Sequence, residues 1–130
     1  MPCIRILLVE DFEPWRMHLK SLLQRRSEFE VVGEAIDGLD AVEKAQELQP
    51  DVILLDISMP RLNGLEAAER IRAIAPQSKI LFVSADRSAE LAEIAIAAGV
   101  QGYIPKAEVD SKLLPALDAL FLKRRQISRG

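Results

Sequence analysis

Cysteine occurs once in the 130 residues, as Cys3, so no disulfide can close within the chain. A lone thiol suits a reducing compartment and has no second sulfur for redox work. Histidine is equally scarce. His18 is the sole one; no cluster supports it as a metal ligand, and it reads as a solvated helix residue. No stretch approaches the roughly 18 continuous apolar residues of a membrane span. The opening "MPCIRILLVEDFEP" carries one basic residue and a short apolar run that ends in acids, which is not a leader pattern. Positive charge is in the minority, with a net charge of -3, which argues against a dedicated nucleic-acid binder. The exception is the end, where Lys123, Arg124, Arg125 and Arg129 follow Asp118 with no acid between. These shortages leave the expectation of a cytoplasmic protein that engages neither membrane nor nucleic acid directly.

What is present is a globular composition, 49% hydrophobic and 28% charged, at a length that supports one domain with a real core. Five short apolar runs recur: "IRILLV" (4–9), "EVVGEA" (30–35), "DVILLD" (51–56), "KILFVS" (79–84) and "GYIP" (102–105). Between them lie stretches of helical spacing. Trp15, Leu19, Leu22 and Leu23 share one face. Ala41, Ala45 and Leu48 follow Asp37, an N-cap type. Leu65, Ala68, Ile71, Arg72 and Ala75 stop at Pro76, and Leu91, Ile94, Ala95 and Ala98 end at Gly99. A fifth helix runs from about Val109 through Leu113, Leu117, Leu120 and Phe121; Pro115 inside it removes a helical hydrogen bond unless it lies in the first turn. Strand and helix alternating five times predict a (βα)5 three-layer α/β sandwich with a parallel sheet. The runs at 51–56 and 79–84 read as central strands, and the one broken by Gly33 and Glu34 as an edge.

The runs end alike. The first ends in Glu10 and Asp11, the third in Asp56 and the fourth in Ser84, while Lys106 follows the fifth. In an open α/β sheet, ligands bind beyond the carboxyl ends of the strands. Any one polar residue at a strand end is ordinary turn chemistry. Three carboxylates, a hydroxyl and a lysine delivered to one edge are a constellation. Converging carboxylates repel, and a hard divalent cation such as Mg2+ removes that conflict while leaving positions open for a phosphoryl group. Asp56 is then the carboxylate nucleophile, Lys106 a point charge for phosphoryl oxygens, and Ser84 a hydroxyl donor. Little else is needed, because phosphoryl transfer rests mainly on alignment and charge stabilisation.

The segments "LLVED" (7–11), "DVILLDISMPRLNGLEA" (51–67), "ILFVSA" (80–85) and "AAGVQGYIPK" (97–106) together resemble the receiver domain of bacterial two-component response regulators. The resemblance runs from about Ile4 to Leu122. It implies a flavodoxin-like sheet of order 2-1-3-4-5, with residues 1–122 as the receiver and 123–130 as a tail or the start of a linker. It implies that Asp56 accepts a phosphoryl group from a histidine kinase or phosphotransfer protein. Asp11 and Asp56 would ligate Mg2+ directly, the backbone carbonyl of Ser58 would be a third ligand, and Glu10 would act through water. Lys106 would meet the phosphate, Ser84 would move onto it, and Tyr103 would rotate inward behind Ser84. The face of the fourth helix, fifth strand and fifth helix would read out the state and could form a homodimer on phosphorylation. Ala107 follows Lys106 where the family often has proline. That variant, with "VVGEA" at 31–35, is closest to the subgroup whose receivers precede a helix-turn-helix output domain, which is absent from these residues.

Two rivals use similar parts. A phosphatase of the haloacid dehalogenase type also attacks with a strand-end aspartate, but it needs a second acid two residues later, where Ser58 stands. A degenerate receiver acting as a phosphorylation-independent module is disfavoured by Glu10, Asp11, Asp56, Ser84 and Lys106 occurring together. A nucleotide or flavin binder lacks its Gly-rich first loop.

Overall fold

The computed structural model describes residues 3–57, 62–85 and 89–129, with the side chains at 89, 91, 92 and 122–129 excepted. Its elements alternate throughout: β1 (Ile4–Val9), α1 (Glu13–Leu23), β2 (Phe29–Ala35), α2 (Gly38–Leu48), β3 (Val52–Leu55), α3 (Gly64–Ile74), β4 (Lys79–Ser84), α4 (Ala89–Ala97), β5 (Gly102–Pro105), a 3-10 turn (Lys106–Glu108) and α5 (Val109–Arg129). The strands form one parallel sheet of order β2-β1-β3-β4-β5. The chain therefore reverses its direction of travel across the sheet at β1 and β3, and the crevice above these two strands is where this fold class places ligands.

The apolar runs are continuous because the central strands are covered on both sides. Leu7, Val9, Ile53, Leu55, Ile80 and Phe82 enter one core with Ala41, Ala45, Ala67, Ala68, Ile71 and Ala95 of α2, α3 and α4. Their neighbours Ile6, Leu8, Val52, Leu54, Leu81 and Val83 enter a second core with Leu19, Leu22 and Leu23 of α1 and Leu113 and Leu117 of α5. The alternation follows from successive side chains pointing to opposite faces of a strand. Alanines supply most of the helix side of the first core, and leucines that of the second.

β2 is the edge expected from its glycine and glutamate. Its pairing with β1 slips one residue, from Ile6 opposite Val31 to Leu7 opposite Gly33, the pattern of a bulge. Asp37 caps α2, its carboxylate accepting from the Asp40 amide at 2.8 Å. Asn63 caps α3, accepting from Glu66 N at 3.0 Å. Gly99 closes α4 at φ +82°, a backbone region that favours glycine. Pro115 lies in the second turn of α5 rather than the first. An interior proline costs about 3 kcal/mol; burial of Val109, Leu113 and Leu117, at about 1.5–3 kcal/mol per large apolar side chain, outweighs it. Among the described residues no helix is long and apolar enough to cross a membrane.

Candidate functional site

Two neighbouring strands carry three carboxylates to one point beyond their carboxyl ends. Glu10 and Asp11 follow β1 directly and Asp56 follows β3, and β1 and β3 pair in register through Val9 and Leu55. One oxygen from each of Glu10, Asp11 and Asp56 lies within 4.8 Å of the other two. Glu10 and Asp56 are buried, 1% and 5% exposed, while Asp11 faces solvent. Lys106, the first residue after β5, reaches across: its Nζ stands 2.8 Å from Glu10 Oε1 and 3.3 Å from Asp56 Oδ2. The ammonium also lies 5.4 Å above the centroid of the Trp15 ring, a cation–π distance.

The electrostatics follow from this crowding. Burial pushes the Glu10 carboxyl above its ordinary range, opposed by the Lys106 hydrogen bond and by the Phe12 amide, which donates to Oε2 at 3.0 Å; the Asp56 charge adds to the rise. Burial works against the Lys106 ammonium, but the Glu10 hydrogen bond and the charges of both carboxylates more than offset it and hold the ammonium above the usual lysine range. Three acidic side chains with one cation leave an excess of negative charge in a partly desolvated notch. The donors are all oxygen, which suits a hard divalent ion and not a thiophilic one.

Backbone hydrogen bonds among the described residues brace the notch. Asp56 N donates to Val9 O at 3.2 Å and Glu10 N to Ala35 O at 3.0 Å. Gly64 N donates to Ile57 O at 2.7 Å, and a Cβ on Gly64 would fall 2.3 Å from the Asp56 carbonyl oxygen. Glycine at the start of α3 is what lets the helix pack against the strand end that presents Asp56.

The remaining residues singled out from the sequence fall as follows. Ser84 is the last residue of β4, 2% exposed, and its strand neighbour is Pro105. Tyr103 lies beside Phe82 on β5, half-buried against the core under α2, α3 and α4. Ser58 lies outside the described residues. His18 does more than sit in solvent: its Nε2 is 2.7 Å from Asp110 Oδ1 of α5, and its ring lies 5.2 Å from that of Trp15 at a tilt of 37°.

Two site neighbours escaped the sequence reading. Arg16 of α1 donates to the Glu10 carbonyl at 2.8 Å and to Glu34 Oε1 at 2.8 Å. Glu34 on β2 also accepts from Lys20 at 2.9 Å, and these two cations hold its carboxyl below the usual glutamate range, against the effect of burial. A basic residue on a helix facing an acid on the edge strand is the faint signal that was there to be read.

Comparison with known proteins identifies the family. The model of the response regulator receiver domain matches residues 6–118. The chain is 40% identical over 114 residues to the chemotaxis protein CheY of Thermotoga maritima, covering 88% of this chain and 94% of that one. It is 36% identical over 127 residues to the response regulator protein VraR of Staphylococcus aureus, covering 98% of this chain but 57% of VraR. A solved CheX–CheY–BeF3–Mg2+ complex from Borrelia burgdorferi superposes with a TM-score of 0.84 at 25% identity, over 91% of this chain and 89% of that one.

Proposed function

The chain belongs to the response regulator receiver domain family of two-component signalling, and from that membership we propose that Asp56 is its phosphoacceptor. The observation that carries the reading is the convergence of Asp56 with Glu10 and Asp11 within 4.8 Å, with Lys106 3.3 Å from Asp56. The donor is a phosphohistidine on a histidine kinase or phosphotransfer protein. An Asp56 carboxylate oxygen attacks phosphorus; the O–P bond forms as the N–P bond breaks, and the imidazole nitrogen leaves with the bonding pair. Asp11 and Asp56, with the Ser58 carbonyl, would hold Mg2+, Glu10 would act through water, and the ion would supply charge neutralisation and orientation for the phosphoryl group. The solved relative described with BeF3 and Mg2+ supports that choice of metal.

Lys106 meets one phosphoryl oxygen as a point charge, and Ser84 donates its hydroxyl to another. The new group adds a charge of about -1.5 to -2 and favours the conformer in which Ser84 approaches and Tyr103 packs inward. The domain occupies residues 1–122, with 123–130 as tail or linker. The face of α4, β5 and α5 reads out the state, with the exposed Ile94 and Ile96 of α4 as apolar contacts for a homodimer. The chain is a cytoplasmic phosphoacceptor rather than a turnover enzyme, and it binds neither membrane nor nucleic acid itself. A transcriptional output domain of the helix-turn-helix kind fits the greater length of VraR, of which this chain spans 57%.

Mass spectrometry after treatment with a small-molecule phosphodonor and Mg2+ tests the reading. One base-labile phosphoryl adduct on Asp56 is expected. No adduct, or full labelling of Asp56→Asn, sinks it; steady hydrolysis of a phosphate ester at enzyme-like turnover favours a phosphatase instead.

A further inference from the structure

Asp11 is the member of the acidic trio whose aim has no visible support of its own. Its side chain is exposed, and among the described residues no hydrogen bond or ion pair to its carboxylate is seen, whereas Glu10 is held by Lys106 and the Phe12 amide. The reach of the Asp11 carboxylate is therefore bounded by the backbone that sets its Cα–Cβ direction, beginning with the Glu10–Asp11 peptide. That peptide is gripped by α1. The Arg16 guanidinium donates through Nη1 to the Glu10 carbonyl oxygen and through Nε to Glu34 Oε1, each at 2.8 Å, and its Nη2 lies 3.8 Å from Glu13. The Arg16 side chain is 12% exposed, so the contact is not a loose surface pair.

The other end of the clamp is anchored as well. Glu34 accepts from Lys20 through its second carboxylate oxygen at 2.9 Å, and Lys44 donates to its backbone carbonyl. With Glu10 N bonded to Ala35 O, the residue before Asp11 is fixed through its amide by β2 and through its carbonyl by Arg16. A planar guanidinium serves two acceptors at fixed angles, which an ammonium cannot reproduce.

We infer that Arg16 is a positioning residue for the acidic site: by tying the Glu10 carbonyl to Glu34 it sets the aim of the Asp11 carboxylate and so the affinity for a divalent cation. The inference rests on the reading of Glu10, Asp11 and Asp56 as a Mg2+ site. Outer-shell groups that orient ligands of a metal are worth about 10–100-fold in affinity, and a carbonyl one peptide from a ligand belongs to this class.

The test is a Mg2+ titration of the isotope-labelled full chain, followed by amide chemical shifts, with thermal stability measured in parallel. Arg16→Gln is expected to weaken Mg2+ binding about tenfold, the low end of that range. Arg16→Lys keeps a cation beside Glu34 but loses the two-pronged grip, so it is expected to keep most of the stability and still bind Mg2+ several-fold more weakly. Lys20→Gln removes one anchor of Glu34 but leaves the Arg16 bond to the Glu10 carbonyl in place, so it is expected to lower stability and to weaken Mg2+ binding clearly less than Arg16→Gln does. Unchanged affinity in both Arg16 variants overturns the inference, as does an equal loss in Lys20→Gln, which would mean that general loosening is responsible. A wild-type chain whose amides do not respond to Mg2+ overturns the underlying metal-site reading and this inference with it.

Discussion

Lys106 Nζ stands 2.8 Å from a Glu10 oxygen and 3.3 Å from an Asp56 oxygen, so one ammonium bridges the ends of β1 and β3 from the far side of the sheet. Both carboxylates are nearly fully buried. Removing one partner of a buried ion pair costs about 3–5 kcal/mol because a charge is left without compensation. Lys106→Met is therefore expected to lose roughly that much stability without metal, measured by urea unfolding at neutral pH, and to regain part of it with millimolar Mg2+. Equal stability with and without the lysine would show that the bridge is slack in solution.

Mg2+ is expected to stabilise the wild-type chain by mass action. At tenfold excess over the dissociation constant the gain is about 1.4 kcal/mol, read as a rise in Tm with added MgCl2. Asp11→Asn removes a ligand while leaving both cores intact, so its Tm is expected to stay flat across the same titration. A rise in that variant equal to wild type would place the ion elsewhere.

Glu34 predicts an acid limb in the stability profile. Its folded-state pKa lies below the ordinary 4.5, chiefly through Lys20 and, against some desolvation, Arg16. A depressed carboxylate pKa contributes stability that is fully present above the unfolded value and fades as pH falls through the folded one. Wild type should thus lose stability on acidification below about pH 4.5 more steeply than Glu34→Gln, whose curve lies lower at neutral pH and flatter in that window. Parallel curves from chemical denaturation at several pH values would contradict this.

Gly64→Ala is expected to cost about 1–3 kcal/mol, the usual range for an added methyl group in a packed site, because its Cβ would meet the Asp56 carbonyl at 2.3 Å. Since the obstruction is backbone at the acidic notch, Mg2+ affinity should fall with stability. A loss of stability with unchanged Mg2+ affinity would mean that α3 moves aside and the strand end does not.

Some of this was open to view in the amino-acid order and some was not. The runs around Leu7, Leu54 and Phe82 betrayed central strands because residues that alternate between two buried faces leave no polar gap. Glu10, Asp11, Asp56, Ser84 and Lys106 stood out because each interrupts such a run at its carboxyl end. The Val32 bulge left little trace because it is a matter of register between β1 and β2, and the Arg16–Glu34 clamp and the His18–Asp110 pair because they depend on how α1 lies across β2 and α5. A charged residue on a helix surface has the same sequence appearance whether it meets water or an acid from another element. Pro115 misled in the other direction: its local cost was visible, but the burial that outweighs it belongs to the whole second core.

The sheet also divides the molecule into two optical compartments. Trp15, the only tryptophan, packs at the margin of the α1–α5 core directly beneath Lys106. Tyr103, the only tyrosine, packs against the opposite core on β5, the strand that Lys106 follows. A change of charge at the notch meets the indole across a single contact, whereas it must run three residues back along β5 to meet the phenol. Two chromophores, each unique in the chain, thus view one lysine from opposite sides of a five-stranded wall, and the order in which they respond would time how an event at the edge spreads into each half.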